Sequence, residues 1–343
     1  MQPLRRQPAR RDCQLPSRRR LTNTRKRVCS GLPALARSGF EFEYPRPPMR
    51  RRAGMGRGSA YAVLAFAIST VVAADPVALV RTDRFSLRSK ATGSEYDVRV
   101  ALPRSFTASQ KRYPLLVMLD ADYSFPVAEG IVNHLTDRNR LPEMVVAAIG
   151  HADADDRDAY RRRRTRDYTP WFAPDGGYGP EFQKVSGGGP AFARFIAEEL
   201  LPILAARYRT TDDRTLVGHS YGGLFAAWTL SRASADFRRF IIVSPSLWYL
   251  DRRVLGEFES RKAVPGTRVY LAVGQNENPE MESDLRRLHR LLGAGPDVEI
   301  EVWPRQNHDT VFPFALSNGL RFLWTKEGWG SEARPMPPPA LGR

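Results

Sequence analysis

The chain contains several short runs of consecutive apolar residues, separated by stretches with helical periodicity. Such runs predict strands buried on both faces, as in parallel sheets covered by helices. The stretch 95–101 differs, because Tyr96, Val98 and Val100 alternate with other residues, which predicts an outer antiparallel strand. We therefore expect an α/β fold with a mostly parallel central sheet and helices on both faces. The other predicted strands are 115–119, 145–149, 215–217, 240–243, 269–273 and 298–302.

Apolar residues recur at helical spacing in three segments, 190–207, 283–292 and 309–324, and we expect a helix in each. The stretch 151–184 instead combines charges, Pro and Gly with little periodicity. We interpret it as a long loop or lid, because long loops inside compact domains are often functional.

The basic charge is concentrated before residue 75. Residues 1–74 hold 16 of the 53 Lys and Arg residues but only three of the 37 acidic residues, which accounts for +13 of the net charge of +16. The rest of the chain is nearly neutral and gives no support to a nucleic-acid partner. Both cysteines, Cys13 and Cys29, also precede residue 75. We therefore expect no thiolate nucleophile, no metal site and no cofactor in the body.

Residues 49–74 have the order of a secretory signal peptide, with arginines, an apolar run and a close in small residues. We expect the mature protein to begin at Asp75, with a catalytic domain over 75–330 and a disordered Pro-rich tail over 331–343. Residues 1–48 are interpreted as translated upstream sequence or a disordered basic extension. The mature protein is then periplasmic or secreted, with no stable membrane anchor. An uncleaved anchor is the alternative, and the oligomeric state stays open.

Residues 215–224 read Thr-Leu-Val-Gly-His-Ser-Tyr-Gly-Gly-Leu and predict a strand, a sharp turn and a helix. Gly218, Ser220 and Gly222 form a Gly-x-Ser-x-Gly pattern. Its glycines let strand and helix backbones approach closely, while the serine hydroxyl is exposed on the turn. Ser220 is therefore the candidate nucleophile, and an ordinary Gly-rich turn is the alternative.

A serine hydroxyl needs a base, and only two histidines follow Ser220. His289 lies within a charged predicted helix, whereas His308 lies between the last strand and the last helix, so His308 is the candidate base. Glu277 lies three residues after Gly274, which follows the strand 269–273, and it is the leading candidate for the acid that orients the base. The remaining candidates are Glu280, Asp284 and a Ser-His pair without an acid.

Acyl transfer by a serine also needs two backbone amides that bind the oxyanion. One is expected to be the N–H of Tyr221, the residue after the nucleophile. The other is expected from the loop 120–123, which follows the strand 115–119.

These motifs resemble the putative-esterase family of α/β-hydrolases. That family includes the enterobactin and salmochelin esterases, and its relatives include S-formylglutathione hydrolases and mycolyltransferases. The resemblance runs from about residue 84 to 324 and implies the α/β-hydrolase fold. It implies Ser220 as nucleophile, His308 as base, the second oxyanion amide at Asp122, and Trp248 at the wall of the substrate site. Ala121 stands where the family usually has Gly. The matching segments are 119–122, 166–170, 187–189, 218–223, 244–248 and 307–310.

Trp248, Arg166 and Tyr123 are the candidate substrate contacts. Arg166 lies in one of the matching segments, whereas the neighbouring run 161–164 is interpreted as a solvated charge run. The functional alternative for this run is reception of an anionic substrate.

We expect a serine esterase that works through an acyl-enzyme on a small-molecule ester, and the resemblance points to a siderophore polyester. An acyltransferase with the same nucleophile and a non-catalytic ligand-binding protein are the alternatives.

Overall fold

The structure is a computed structural model that describes residues 77–152, 156–233, 235–259, 266–293 and 297–324. The predicted extension, signal peptide and Pro-rich tail lie outside the described residues. Eight strands form one sheet. They are β1 (Thr82–Arg88), β2 (Glu95–Ala101), β3 (Tyr113–Leu119), β4 (Val145–His151), β5 (Thr210–His219), β6 (Arg239–Val243), β7 (Arg268–Gly274) and β8 (Val298–Trp303).

The strand order is β1-β2-β4-β3-β5-β6-β7-β8, and the six strands from β4 to β8 along this order are parallel. The predicted mostly parallel α/β sheet is therefore confirmed. β2 is antiparallel to both β1 and β4, as its alternating sequence predicts. It is not the outermost strand, because β1 pairs with its whole length from Thr82 opposite Ala101 to Arg88 opposite Glu95.

The helices are α1 (Ala121–Asp137), α2 (Arg157–Tyr168), α3 (Pro180–Gln183), α4 (Gly189–Arg194), α5 (Leu201–Tyr208), α6 (Tyr221–Ser231), α7 (Tyr249–Glu259), α8 (Pro279–Leu292) and α9 (Val311–Trp324). A π-helical turn, Phe195–Leu200, joins α4 to α5, so one interrupted helix fills the predicted segment 190–207. No helix in the described ranges is long and apolar enough to cross a membrane.

The interpretation of 151–184 as a loop is wrong in part, because α2 and α3 lie within it. α2 begins after Asp156, whose side chain accepts hydrogen bonds from two amides of the first turn. Its buried residues are largely polar, including Arg164, Thr165 and Asp167. A helix that buries polar groups shows no apolar period, which is why the sequence pattern did not reveal it.

Helices cover both faces of the sheet. α1 and α9 pack on one face, where Phe125 and Leu320 belong to one apolar cluster with strand residues such as Val217. The helices from α4 to α8 pack on the other face in a larger cluster that includes Phe225. With both faces covered, the loops at the carboxyl ends of the parallel strands are the open edge, where sites form in this architecture.

Candidate active site

Ser220 stands on a sharp turn between β5 and α6. Its backbone has φ 61° and ψ −119°, a conformation that residues with a side chain rarely adopt. The turn is this tight because Gly218 and Gly222 touch, and a Cβ on Gly218 would lie 2.1 Å from the Gly222 carbonyl oxygen. The N–H of Ser220 also donates to the Val243 carbonyl at 3.0 Å, which ties the turn to β6.

Glu277 and His308 are in direct contact. The Glu277 side chain is 2% exposed, and its Oε2 lies 2.7 Å from Nδ1 of His308. Its Oε1 accepts hydrogen bonds from the Ser244 hydroxyl and the Gly274 amide, each at 2.6 Å. Burial raises the pKa of Glu277, but the hydrogen bonds from His308, Ser244 and Gly274 outweigh it and hold the pKa below its usual value. An ionised carboxylate only accepts, so Nδ1 of His308 carries the hydrogen and Nε2 presents its lone pair.

The contact forms because the loops after β7 and β8 are bonded to each other. The Asn276 amide donates to the Gln306 carbonyl at 2.8 Å, and the Gln275 amide donates to the Trp303 carbonyl at 2.9 Å. A Cβ on Gly274 would lie 2.6 Å from the Gln306 carbonyl oxygen, so the close approach requires glycine there. The paired loops bring an acid and a histidine together that are 31 residues apart in sequence.

The two other candidate acids point elsewhere. Both Asp284 and Glu280 lie on α8 and bind Arg252, at 2.6 and 3.3 Å respectively. Of the three acids that the sequence left open, the structure brings only Glu277 to His308.

Two helix N-termini flank Ser220. α6 begins at Tyr221 and α1 at Ala121, so the amides of Tyr221 and Asp122 lie in first turns, where N–H groups have no intrahelical partner. The Asp120 amide is different, because it already donates to the Tyr168 hydroxyl at 3.1 Å. Both amides named from the sequence therefore stand in the first turn of their helices without an intrahelical partner.

The start of α1 is held by Arg99 on β2. Its guanidinium donates to the Ala121 carbonyl at 3.2 Å and to the Asp122 carboxylate at 2.9 Å. Ala121 fits in place of the family's Gly because Gly150 on β4 lies opposite. A Cβ on Gly150 would come within 3.1 Å of the Ala121 Cβ.

Two cavities meet at Ser220 and His308, which line both. The first, of about 700 Å³, we call the arginine–tyrosine cavity. It is lined by Arg157, Arg161, Arg164, Tyr123, Tyr160 and Tyr178, among others. The second, of about 600 Å³, we call the amide cavity. Its lining includes Ser246, Trp248, Asn276, Asn278, Glu280 and Asn307.

A buried ion pair supports the arginine–tyrosine cavity. Nε and Nη2 of Arg164 donate to the two Asp120 carboxylate oxygens at 2.7 and 2.9 Å. The hydroxyls of Tyr160 and Tyr123 donate to the same carboxylate at 2.9 and 3.2 Å. Burial raises the pKa of Asp120, but the Arg164 charge outweighs it and holds the pKa below its usual value.

Arg164 corrects the interpretation of 161–164 as a solvated run, because its side chain is only 6% exposed. It is buried because Asp120 provides a bidentate partner in the interior. A sequence signal existed, since Tyr160, Arg164 and Tyr168 recur every four residues and so share one helix face.

The three candidate substrate contacts are not all brought together. Trp248 lines the amide cavity and Tyr123 lines the arginine–tyrosine cavity. Arg166 lies outside the lining of both, because its guanidinium binds the Asp167 carboxylate at 2.6 and 2.8 Å and the Ser94 hydroxyl at 2.6 Å. The sequence also gave no role to Ser244, which fixes the Glu277 carboxylate.

The sheet is mostly parallel, Ser220 stands on a Gly-x-Ser-x-Gly turn, and His308 follows the last strand. Ser220 and His308 also line the same two cavities. Together these features define a serine hydrolase of the α/β-hydrolase class. Residues 89–292, more than half of the chain, match the family model described as "Putative esterase". The chain belongs to this family, and it is an esterase of the serine-hydrolase type.

Curated relatives of this chain are named as siderophore esterases. The chain is 29% identical to the siderophore enterobactin esterase of Emericella nidulans over 66% of its own length and 89% of that protein. It is 28% identical to the ferri-bacillibactin esterase of Bacillus subtilis, over 63% of this chain and 80% of the relative. Among solved structures, the BES protein of Bacillus cereus superposes with a TM-score of 0.63 at 27% identity, covering 74% of this chain and 98% of that one.

Proposed function

We propose that Ser220, His308 and Glu277 form a catalytic triad that hydrolyses carboxylic esters through an acyl-enzyme. The observation that carries this proposal is the 2.7 Å contact between a buried, ionised Glu277 and Nδ1 of His308. This contact fixes the histidine tautomer that a nucleophilic serine needs, and the histidine lines the same two cavities as the serine.

The proposed reaction follows from this tautomer. Nε2 of His308 takes the hydroxyl proton as Ser220 Oγ attacks the ester carbonyl, and the amides of Tyr221 and Asp122 donate to the oxyanion. The tetrahedral intermediate collapses when His308 returns the proton to the departing alkoxide, which leaves as the alcohol. Water then attacks the acyl-enzyme by the same route and releases the acid, which restores the Ser220 hydroxyl.

We propose a siderophore ester as the substrate. The arginine–tyrosine cavity supports this choice, because Arg157 and Arg161 give it positive charge while Tyr123, Tyr160 and Tyr178 supply aromatic surface. Such a wall suits an anionic aromatic group, which binds through charge-assisted hydrogen bonds and ring contacts. The names of the curated relatives agree with this substrate class.

Export supports the same proposal. Residues 49–74 have the order of a signal peptide, so we propose a periplasmic or secreted enzyme whose mature chain begins at Asp75. We propose that a small-molecule ester, and not a nucleic acid, is the partner and binds in the two cavities.

The experiment is hydrolysis of p-nitrophenyl butyrate, followed by an enterobactin-type triester, by the wild-type protein and by Ser220→Ala and His308→Ala. We expect each substitution to lower kcat by about 10³-fold or more. Ser246→Ala and His289→Ala are the matched controls, because Ser246 lines the amide cavity beside the nucleophile and His289 is the other histidine after it.

Hydrolysis that survives Ser220→Ala means that another residue is the nucleophile. Wild-type protein that releases p-nitrophenol only when an alcohol acceptor is added is an acyltransferase. Protein that binds the triester but is neither active nor labelled at Ser220 by a phosphonate probe is a binding protein, and the proposal then fails.

A further inference from the structure

His219 is a titratable residue in the site that the proposed reaction does not use. It ends β5, immediately before Ser220, and lines the arginine–tyrosine cavity. Its ring centroid lies 4.6 Å from that of His308, with 37° between the ring planes. Two imidazoles this close cannot both carry a charge at little cost, so their protonation states are linked.

The hydrogen-bond chain behind His219 fixes its tautomer. The Asp120 carboxylate is ionised and can only accept, so the Tyr123 hydroxyl donates its hydrogen to Asp120 at 3.2 Å. The Tyr123 oxygen, 3.3 Å from Nδ1 of His219, can then only accept from that nitrogen. His219 therefore holds its hydrogen on Nδ1. Its Nε2, which is shielded from solvent, has no hydrogen-bond partner among the described residues.

The surroundings keep the His219 ring neutral. Burial, followed by the neighbouring His308, lowers the pKa of His219 to about 3. The other charged groups that act on the ring are Arg164 and Asp120, which form an ion pair, and Glu277, which is paired with His308. A proton taken from Ser220 at neutral pH thus stays on His308 and does not pass to His219.

We propose that His219 is a positioning residue, whose neutral ring holds the His308 imidazole against Glu277 and stabilises its protonated form by ring-on-ring contact. This inference rests on the proposed function, because it assigns His308 the role of base. When His308 takes the Ser220 proton, its charge develops beside an aromatic ring that cannot itself become charged. The stabilisation exists in the transition state and not in the resting enzyme, so it acts on kcat more than on KM.

Two substitutions separate ring contact from simple volume. His219→Phe keeps an aromatic ring beside His308, whereas His219→Leu removes the ring and keeps much of the apolar bulk. With p-nitrophenyl butyrate we expect His219→Leu to lower kcat about 10-fold with KM nearly unchanged. We expect His219→Phe to keep a kcat close to that of the wild type. We also expect the acid limb of the kcat/KM profile to move to lower pH by about one unit in His219→Leu only.

A readout that does not need activity keeps this test separate from the proposed function. In ¹⁵N spectra of protein with labelled histidine, we expect one histidine of the wild type to stay neutral, with its hydrogen on Nδ1, from pH 8 down to about pH 4. The signal of this histidine should be absent from the spectra of both variants. His308 should take up its proton at a lower pH in His219→Leu than in His219→Phe.

Equal effects of the two substitutions on kcat and on the His308 titration overturn the inference. So does a wild-type His219 that titrates near neutral pH or carries its hydrogen on Nε2. An inactive wild type whose ¹⁵N spectra behave as expected contradicts the proposed function alone, since the ring contact and the tautomer are then still present.

Discussion

One carboxylate oxygen of Glu277 accepts a hydrogen bond from His308, and the other accepts hydrogen bonds from the Ser244 hydroxyl and the Gly274 amide. The carboxylate therefore cannot rotate away from the histidine without giving up two hydrogen bonds in a nearly solvent-free position. Three hydrogen bonds therefore hold the acid of the proposed triad in place.

Glu277→Gln tests the role of this acid. An amide in place of the carboxylate presents a hydrogen-bond donor as well as an acceptor and removes the charge that stabilises protonated His308. We expect kcat to fall by about 10²- to 10⁴-fold with a folded protein. Glu280→Gln is the matched control, since Glu280 binds Arg252 and lines the amide cavity without touching His308. Equal losses in both variants would remove Glu277 from the triad.

The turn at Ser220 predicts opposite outcomes for two glycines of one motif. In Gly218→Ala the new Cβ would lie 2.1 Å from the Gly222 carbonyl oxygen, so strand and helix must separate, and we expect a loss of roughly 1–3 kcal/mol in the free energy of unfolding. In Gly222→Ala the nearest atom lies at 3.4 Å, an ordinary contact. We expect that variant to match or exceed the wild type, because alanine favours helix. Urea denaturation followed by circular dichroism measures both.

The ion pair of Arg164 and Asp120 predicts a large stability effect of a substitution near the site. Arg164→Met leaves the fully buried Asp120 carboxylate without its cation, which we expect to cost about 3–5 kcal/mol in the free energy of unfolding at pH 7. Arg162→Met, on the exposed side of the same helix, should change it by less than about 0.5 kcal/mol. The midpoints of denaturant unfolding compare the two variants. A small loss of stability in Arg164→Met would show that Asp120 is neutral or solvated.

The arginine–tyrosine cavity predicts a preference for anionic esters. Arg161→Gln should lower kcat/KM about fivefold or more for an ester with an anionic aromatic acyl group. It should change kcat/KM little for an uncharged ester of similar size. Arg162→Gln is the control, because Arg162 is exposed and does not line the cavity. The anionic preference should also weaken at high salt. If kcat/KM falls equally for both esters, Arg161 does not distinguish substrates by their charge.

His219 predicts how stability depends on pH. Its pKa is lowered to about 3 in the folded protein, below the unfolded value near 6.5, so between these values the unfolded chain binds the additional proton. Stability from this group is full above about pH 6.5 and is lost as pH falls. The loss between pH 7 and 5 is about 2 kcal/mol for this one group. His219→Phe should lose correspondingly less over the same interval, as measured by urea denaturation at each pH.

The lowered pKa values of Glu277 and Asp120 act in the same direction at lower pH. Their stabilising contributions are present above the usual carboxylate pKa, begin to decrease below it, and are lost as the pH falls through the lowered pKa of the folded protein. The His219→Phe comparison is therefore made above pH 5, where both groups stay ionised in either state.

Several features could be predicted because they depend on neighbouring residues. The apolar runs indicated the parallel strands, and the alternation in 95–101 indicated the antiparallel β2. The edge strand β1 was missed because its exposed and half-buried residues give a weak pattern. α2 was missed because its buried face is polar and is stabilised by partners from other elements, such as Asp120 for Arg164 and His151 for Asp167.

The sequence by itself determined the alternation of strands and helices, the glycine-flanked turn that carries Ser220, and the position of His308 after the last strand. These follow from side-chain periodicity and from the backbone freedom of glycine, which act over a few residues.

The tertiary structure alone decided that Glu277 meets His308, that Arg164 and not Arg166 lines the cavity, and that His219 lies against His308. Each of these depends on contacts between residues that lie far apart in the chain. Glu277, Glu280 and Asp284 are chemically alike, and only the bonded loops after β7 and β8 distinguish them.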